Sequence, residues 1–428
     1  MKPSDLKFEA TIDCARALDA ADPMSRWRDE FCIPQTNNKP QVYLCGNSLG
    51  LQPKRLQAEM DQELEAWRRY GVGGHFEGKY PWMPYHEFVR EPLARLVGAH
   101  PDEVVAMNSL TVNLHLMMVS FYRPSPERHR IVIEKGAFPS DRYAVESQIR
   151  FHGYDPDSSL VELIDNDGSG LLSLSTLDAY LNEHGDSVAL VLMPGVQYAT
   201  GQFTPPGEVV ELARRHGCQV GFDLAHAVGN LPLTLHDDDA DFAVWCSYKY
   251  LNSGAGAVAG CFVHRKHSQR TDLPRFAGWW GHDPSTRFKM GDKFVPAAGA
   301  DAWQLSNPPI YGLAPVRVSL GIFDEAGIKH LRDKSITLTA YLEYLVEIRL
   351  AGRIAIRTPS DPGKRGCQLS LAFADAKLGK SVHQAMETAG FVGDWREPDV
   401  LRASPAPLYN NFSDVFQFVD ELARRLSQ

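Results

Sequence analysis

The fold is decided by two neighbouring segments, QVGFDLAHAVGN (residues 219–230) and FAVWCSYKYLN (residues 242–252). Each opens with a short apolar, β-rich run that predicts a buried strand. A reactive side chain follows each run, Asp223 after the first and Lys249 after the second. Because open α/β sheets bind ligands beyond the carboxyl ends of their strands, we expect Asp223 and Lys249 to emerge on one side of a sheet, next to a ligand.

The same alternation of β-rich runs and helical stretches extends from about residue 86 and predicts crossover units in a mostly parallel sheet. The predicted strands are residues 103–106, 130–134, 161–164, 188–193, 219–222, 242–246 and 257–263. The predicted helical windows between them are residues 111–122, 140–151, 175–183 and 206–216. The expected fold class is therefore α/β, with helices flanking the sheet.

The domain organisation is predicted from a change in composition after Asn307-Pro308-Pro309. A long helical window at 316–350, mixed segments and an amphipathic helix near 413–426 follow it. We predict a large cofactor-binding domain over residues 46–310 and a smaller α+β domain over residues 311–428. Residues 1–45 are predicted to form an arm or helix that packs with the small domain, because a lone N-terminal segment cannot bury its own apolar face.

The composition excludes several classes of protein. The 428 residues are 44% hydrophobic and 23% charged, which is typical of globular proteins and rules out disorder and fibrous repeats. A net charge of −9 without a cluster of basic residues argues against nucleic acid and anionic lipid as partners. The longest apolar runs are strand-length, far below the ~20 residues of a membrane span, so a soluble protein is predicted.

The cysteines and the N-terminal segment predict a cytoplasmic location. The seven cysteines are odd in number, widely scattered and without a C-x-x-C pair, as expected of reduced thiols. Acidic residues at positions 5, 9, 13 and 19 distinguish the start of the chain from a secretory signal or a transit peptide.

Three motifs suggest other functions, and the context of each argues against it. Gly46-Asn47-Ser48-Leu49-Gly50 matches the nucleophile elbow of serine hydrolases, but 45 preceding residues cannot supply the sheet that such an elbow follows. A tight turn that presents Ser48 to a cleft fits better. Residues 254–260 precede a predicted strand, whereas a dinucleotide loop precedes a helix. The acidic cluster at 236–241 is typical of a solvated loop, so no metal is assigned.

A carboxylate and a lysine at nearby strand ends are what pyridoxal 5′-phosphate (PLP) requires. The lysine forms a Schiff base with the cofactor, and the carboxylate keeps the pyridine nitrogen protonated. The alternative is a buried structural ion pair of Asp223 and Lys249. Asn108-Ser109-Leu110-Thr111 opens a helix whose free N–H groups suit a phosphate, or it forms an ordinary N-cap. Phe138-Pro139-Ser140-Asp141 starts the next predicted helix, where the aromatic ring can stack on a planar cofactor.

Longer motifs resemble those of the kynureninase family, and they extend from the Gly46 turn to the Arg402 segment, nearly the whole chain. They are residues 221–230, 245–252, 278–282, 285–288, 306–310 and 402–410. The resemblance implies a fold-type I PLP-dependent, transferase-like fold of the class-V aminotransferase kind. It also implies a homodimer whose active sites lie at the subunit interface.

The resemblance implies a set of cofactor contacts. Lys249 would form the Schiff base, Asp223 would pair with the pyridinium, and His226 would lie beside it. The residues expected around the phosphate are Leu110, Thr111, Tyr248 and Trp279. Phe138 would stack on the ring, within a cofactor segment formed by Phe138, Pro139, Ser140 and Asp141. The residues expected from the neighbouring subunit are Trp279 and Asn307.

Two further positions complete the implied site. Arg402 would clamp the substrate carboxylate as a bidentate fork, and its alternative is a surface arginine that covers apolar area. Pro194 departs from the family's pattern, because some members have a Ser or Thr contact to the cofactor there. That side-chain hydrogen bond is therefore expected to be missing.

The implied reaction is the hydrolysis of L-kynurenine or 3-hydroxy-L-kynurenine to the corresponding anthranilate and L-alanine. Lys249, once released from the cofactor, would act as base on the Cα proton. Tyr248 would either deliver a proton in later steps or only bind the phosphate. The aryl end resembles that of members favouring the 3-hydroxy substrate, with Ser48, His75, Ser306 and Asn307. The alternative for His75 is a histidine satisfied within the fold.

Rival functions share the same fold. A cysteine desulfurase or an aminotransferase would also use Lys249, but a desulfurase needs a cysteine on a mobile loop. The only candidate, Cys367, precedes a strand-like run, which predicts burial. A catalytically silent PLP-binding regulator is a further alternative, against which the intact Lys249, Asp223 and Arg402 argue.

Overall fold

The structure is a computed structural model that describes residues 7–268, 270 and 272–427. The first six residues of the predicted N-terminal arm lie outside these ranges. The α-helices are α1 (Ile12–Ala21), α2 (Leu56–Tyr70), α3 (Arg90–Val97), α4 (Leu110–Phe121), α5 (Pro139–Phe151), α6 (Pro156–Ser159), α7 (Leu174–His184), α8 (Pro206–Arg214), α9 (Ile310–Ala326), α10 (Ile328–Leu350), α11 (Ala376–Thr388) and α12 (Phe412–Leu426).

The strands are shorter and fall into one large and several small sheets. They are β1 (Gln35–Thr36), β2 (Lys39–Pro40), β3 (Val42–Tyr43), β4 (Val104–Ala106), β5 (Arg130–Glu134), β6 (Leu160–Leu163), β7 (Val188–Pro194), β8 (Gln219–Asp223), β9 (Phe242–Trp245), β10 (Gly260–Val263), β11 (Ile354–Ile356), β12 (Leu369–Phe373), β13 (Phe391–Val392), β14 (Asp394–Arg396) and β15 (Val400–Ala403).

The central sheet has seven strands in the order β4-β10-β9-β8-β7-β5-β6. β10 is antiparallel to both β4 and β9, and the remaining neighbours are parallel. The mostly parallel α/β sheet predicted from the alternating pattern is confirmed. The predicted strand bounds differ from the observed ones by at most three residues, the largest difference being at the start of β10.

Both faces of this sheet are buried, which explains the nearly continuous apolar runs of its strands. On β5, Val132 packs into one core cluster, whereas Ile131 and Ile133 pack into the other. Successive side chains of a strand point to opposite faces, so each face needs its own layer of helices. Helices α4 and α5 contribute to the core on the face of Ile131, and α7, α8 and α9 to the core on the face of Val132.

The carboxyl ends of three neighbouring parallel strands meet at one edge of the sheet. β5 ends at Glu134, β7 at Pro194 and β8 at Asp223. Pro194 and Asp223 are direct partners in the register of β7 and β8. This edge is where a parallel α/β sheet presents side chains to a ligand.

A second sheet is antiparallel, with the order β11-β12-β15-β14, and it shares a core with α10, α11 and α12. Helix α1 packs against α12, and β3 pairs in parallel with β13. The described part of the N-terminal segment is therefore joined to the C-terminal part of the chain. The helical window at 316–350 is divided between α9 and α10 by Gly327, whose φ of +78° favours glycine. None of the described helices is long and apolar enough to cross a bilayer.

Candidate active site

A cavity of about 530 Å³ opens at the carboxyl edge of the parallel strands. Its lining residues come from strand ends, helix starts and the loop after β9, and they are Leu110, Thr111, Glu134, Phe138, Ser140, Asp141, Pro194, Val196, Tyr198, Asp223, Ala225, His226, Tyr248 and Lys249. Nine of the residues predicted from the sequence thus lie around one cavity.

Lys249 and His226, which both line the cavity, are hydrogen-bonded to each other. Lys249 Nζ lies 3.0 Å from His226 Nε2, and 5.8 Å from the centroid of the Phe138 ring. Burial, and then the nearby Lys249, lower the pKa of His226, so its imidazole is neutral and its Nε2 can accept a hydrogen bond from the lysine. His226 Nδ1 is buried and has no hydrogen-bond partner among the described residues.

The loop that carries Lys249 is fixed by the turn at residues 46–50. The N–H of Gly50 donates to the carbonyl of Tyr248 at 2.8 Å, and the Ser247 hydroxyl donates to the carbonyl of Val258 at 2.7 Å. A Cβ at position 50 would lie only 2.3 Å from the carbonyl oxygen of Lys249. Glycine is therefore required for this close approach, which gives the hydrolase-like motif a structural explanation.

Three carboxyl groups, those of Glu134, Asp141 and Asp223, also line the cavity. Asp223 accepts the N–H of Ala225 at 2.7 Å. Burial, followed by the adjacent Asp223 carboxylate, raises the pKa of Asp141, and Asp141 Oδ1 has no hydrogen-bond partner among the described residues. Burial also raises the pKa of Glu134, to about 8. Such a cluster stabilises a cationic group, and a protonated pyridine nitrogen fits it.

Two helix starts meet at another end of the cavity. α4 begins at Leu110, and the side chain of its N-cap, Ser109, makes no capping hydrogen bond. The hydroxyls of Thr111 and Ser140 lie 2.8 Å apart and link the first turns of α4 and α5. Free N–H groups, helix dipoles and two hydroxyls together suit a phosphate. The residues present therefore fit PLP at both its phosphate and its ring nitrogen.

Tyr248 lines the cavity, and 36% of the residue is exposed. Burial, and then the neighbouring Cys246, raise the pKa of its phenol above the ordinary value, so Tyr248 remains protonated at neutral pH. It can therefore donate a proton or a hydrogen bond. Pro194, which also lines the cavity, has no donor to offer.

Arg402 lies behind the cavity wall, with its side chain 1% exposed. Its Nη1 donates to the carbonyl of Tyr198 at 2.9 Å, and its Nη2 lies 2.6 Å from Asp394 Oδ2. Turning the Asn47 amide so that its oxygen faces Arg402 places that oxygen 3.2 Å from Nε. The ring of Tyr198 lines the cavity and meets the Phe138 ring edge-on at 5.3 Å. Tyr198 thus connects Arg402 to the part of the cavity wall that Phe138 forms.

Besides Arg402, six predicted residues do not line the cavity of the single chain, namely Ser48, His75, Pro139, Trp279, Ser306 and Asn307. Trp279 is 42% exposed, and its indole N–H donates to the carbonyl of Arg287 at 3.2 Å. Ser306 and Asn307 are exposed as well. His75 packs edge-on against Trp82, and its Nδ1 is buried without a partner among the described residues.

Sequence reasoning missed Glu134, Tyr198 and Asp394. Glu134 ends a predicted strand, and this is the same signal that singled out Asp223. Asp394 faces Arg402 across neighbouring antiparallel strands, a pairing that only the register of β14 and β15 reveals. Tyr198 lies in the irregular segment after β7 and carries no comparable signal.

Two family models match the chain. One, described as Aminotransferase class-V, matches residues 42–348, and the other, the Kynureninase C-terminal domain, matches residues 331–422. A kynureninase of Xanthomonas campestris pv. campestris (strain B100) is 56% identical over 409 residues, which are 95% of this chain and 96% of that protein. A kynureninase of Xanthomonas oryzae pv. oryzae (strain PXO99A) is 56% identical over 420 residues, 98% of each chain.

Solved structures share the fold at much lower identity. A mutant of the cystine C–S lyase C-DES, with glycine covalently linked to its PLP cofactor, superposes with a TM-score of 0.75 at 18% identity over 92% of this chain and 98% of its own. The cysteine desulfurase CsdA from Escherichia coli gives a TM-score of 0.73 at 17% identity over 94% of this chain and 98% of its own. These likenesses concern the fold alone.

Proposed function

The chain belongs to the kynureninase family of PLP-dependent hydrolases, and from this we propose that it adds water across the Cβ–Cγ bond of L-kynurenine-type amino acids. The products are an anthranilate-type acid and L-alanine. The observation that carries the proposal is the lysine at the carboxyl edge of the sheet, with Lys249 Nζ 3.0 Å from a neutral His226 inside the cavity.

The cofactor, when bound, withdraws electrons from the substrate α-carbon and so makes its proton acidic. In this proposal Asp223, assisted by Asp141, holds the ring nitrogen in its protonated form. Thr111 and Ser140 bind the phosphate together with the first turns of α4 and α5. Phe138 covers one face of the ring, which is consistent with its position 5.8 Å from Lys249 Nζ.

Lys249 has two tasks in this proposal. It attaches the cofactor to the protein, and once released it takes the proton from the substrate α-carbon. A neutral His226 supports the second task, because an imidazole that accepts a hydrogen bond from Nζ orients the amine without adding positive charge beside it.

Tyr248 is proposed as the group that delivers a proton in the later steps. Its raised pKa supports this role, since a phenol that stays protonated can stabilise negative charge developing on the oxygens at Cγ. The alternative is a role in phosphate binding alone. In that case, removal of the hydroxyl should weaken cofactor binding and leave kcat unchanged.

Arg402 is proposed to bind the substrate carboxylate, and the aryl end is proposed to favour the 3-hydroxy substrate. Polar groups placed for a substrate hydroxyl discriminate against the analogue that lacks it, because those groups are otherwise left unpaired. The buried, unpartnered Nδ1 of His75 supports such a role. Ser48, Ser306 and Asn307 complete the proposed set.

We further propose a homodimer with shared sites, in which Trp279 and Asn307 reach the cavity of the partner subunit. The exposure of the Trp279 indole in the single chain supports this arrangement, since a large apolar side chain of this kind is typical of an interface. All seven cysteines are unpaired, which supports the proposed cytoplasmic location.

A desulfurase activity is not supported. Cys367 is fully buried, its N–H donates to Asn230 at 3.0 Å, and burial raises the pKa of its thiol to about 12. A nucleophilic cysteine needs an accessible thiolate, and Cys367 offers neither access nor charge.

The experiment compares kcat/KM for L-kynurenine and 3-hydroxy-L-kynurenine, followed by the fluorescence of the aromatic product. We expect turnover of both, with the larger value for the hydroxylated substrate, and no turnover by the Lys249→Ala variant. Equal values would contradict the proposed preference. Turnover by Lys249→Ala at the wild-type rate would contradict the assignment of the lysine.

A further inference from the structure

Two arginines share one carboxylate behind the cavity wall. Arg396 donates one hydrogen bond to Asp394, with Nη2 3.1 Å from Oδ2, and its Nε lies 2.8 Å from Oδ1 as an ion-pair contact without hydrogen-bond geometry. Arg402 also contacts Asp394, with its Nη2 2.6 Å from Oδ2. Both arginines therefore pair with the one carboxylate, and the three side chains together carry one net positive charge.

The sheet places these three side chains on one face. Asp394 and Arg402 are direct partners in the register of the antiparallel strands β14 and β15. Arg396 follows Asp394 by two residues, so it points to the same face of the sheet. Cross-strand and same-face neighbours at these spacings are within reach of long side chains, which explains why the cluster forms.

The cluster reaches the cavity through Tyr198. The guanidinium carbons of Arg396 and Arg402 each lie 5.9 Å from the centroid of the Tyr198 ring, which lines the cavity. Both arginines are also among the charges that lower the pKa of His226, after burial and Lys249. The positive charge of Arg396 therefore acts on His226, which lines the cavity.

We propose that Arg396 is a positioning residue for substrate recognition, which shares the charge of Asp394 so that the positive charge of Arg402 is not fully compensated and remains available to the substrate carboxylate. The inference rests on the proposed function, in which Arg402 binds that carboxylate. Without Arg396, Asp394 pairs with Arg402 alone, and the cluster becomes electrically neutral. An Arg402 guanidinium whose charge is fully compensated by Asp394 has little attraction left for a second carboxylate.

The charge balance gives each variant a definite prediction. Arg396→Gln removes the net positive charge, so we expect KM for L-kynurenine to rise about tenfold with kcat nearly unchanged. Adding Asp394→Asn to Arg396→Gln restores the net charge of one, and KM should return to about the wild-type value. Asp394→Asn alone leaves two positive charges and should not raise KM.

A control and a second ligand separate charge from folding. Arg357 and Asp399, which lie next to the ends of β11 and β15, form a similar pair with Nη2 2.6 Å from Oδ2, and the Arg357 side chain is 42% exposed against 38% for Arg396. Arg357→Gln should leave KM unchanged. The second ligand is the analogue of L-kynurenine in which hydrogen replaces the α-carboxylate. Its inhibition constant should be the same for the wild-type holoenzyme and for Arg396→Gln, because a ligand without a carboxylate does not need the positive charge of the cluster.

Several outcomes would overturn the inference. They are a wild-type KM in Arg396→Gln, a raised KM that Asp394→Asn does not restore, and an equal loss of affinity for the carboxylate-free amine. If Arg396→Gln fails to fold, a tenfold higher KM in Asp394→Asn alone would overturn it. An Arg402→Gln variant with unchanged KM would instead refute the proposed role of Arg402, which distinguishes the two failures.

Discussion

The substitution Gly50→Ala tests whether the turn at residues 46–50 must touch the loop that carries Lys249. An added Cβ would lie 2.3 Å from the carbonyl oxygen of Lys249 and 2.7 Å from Cα of Asn252. Both are backbone atoms, so neither can rotate away, and one of the two segments must shift. Overpacking of this kind costs about 1–3 kcal/mol of stability.

The functional effect should exceed the loss of stability. A displacement of about 1 Å at a reacting group can lower the rate about 100-fold, so we expect kcat/KM for L-kynurenine to fall at least about tenfold. The assay measures kcat/KM together with the melting temperature of the holoenzyme. Gly321→Ala is the control, because the added Cβ in α9 would have no neighbouring atom within 4 Å. Alanine in a helix is more stable than glycine by about 1 kcal/mol, so this variant should lose neither stability nor activity. A Gly50→Ala variant with wild-type kcat/KM and melting temperature would refute the reasoning.

Three further substitutions probe the site. The folded Glu134 carboxyl has a pKa of about 8 against an ordinary value of 4.5, so stability should fall as pH rises between these values. Melting experiments should therefore show that Glu134→Gln loses less stability than the wild-type protein between about pH 5 and pH 8, by on the order of a few kcal/mol. Equal losses of stability in the two proteins would count against a buried, protonated Glu134 carboxyl. Tyr248→Phe should lower kcat about 100-fold while the cofactor absorbance is retained, whereas weaker cofactor binding with unchanged kcat would assign Tyr248 to the phosphate alone. Replacing His75 and Asn307 together by alanine should narrow the preference for the hydroxylated substrate, and a ratio of kcat/KM that does not move would exclude their role in it.

The parallel sheet was predictable because local signals determine it. Runs such as residues 130–134 are apolar on both faces, which is typical of a strand buried between two layers of helices. The common direction of the strands then brings Asp223 and Lys249 to the same edge of the sheet. Both side chains line the cavity there. The bounds of β10 were less predictable, since residues 257–259 are apolar but not part of the strand.

The rest depends on contacts between distant segments. The pairing of Asp394 with Arg402 follows from a register that no local pattern determines. The requirement for glycine at position 50 arises from a backbone about 200 residues further along the chain. Tyr198 joins the arginine to the cofactor wall from an irregular segment, where neither periodicity nor spacing distinguishes it.

The central claim is that this cavity breaks a carbon–carbon bond by hydrolysis, and product stoichiometry tests it most directly. The holoenzyme is incubated with L-kynurenine, and anthranilate and L-alanine are quantified in the same samples over time. Our account predicts that the two products appear in equal amounts as the substrate disappears. Consumption of the substrate without alanine, or an intact substrate in the presence of a fully loaded cofactor site, would contradict it.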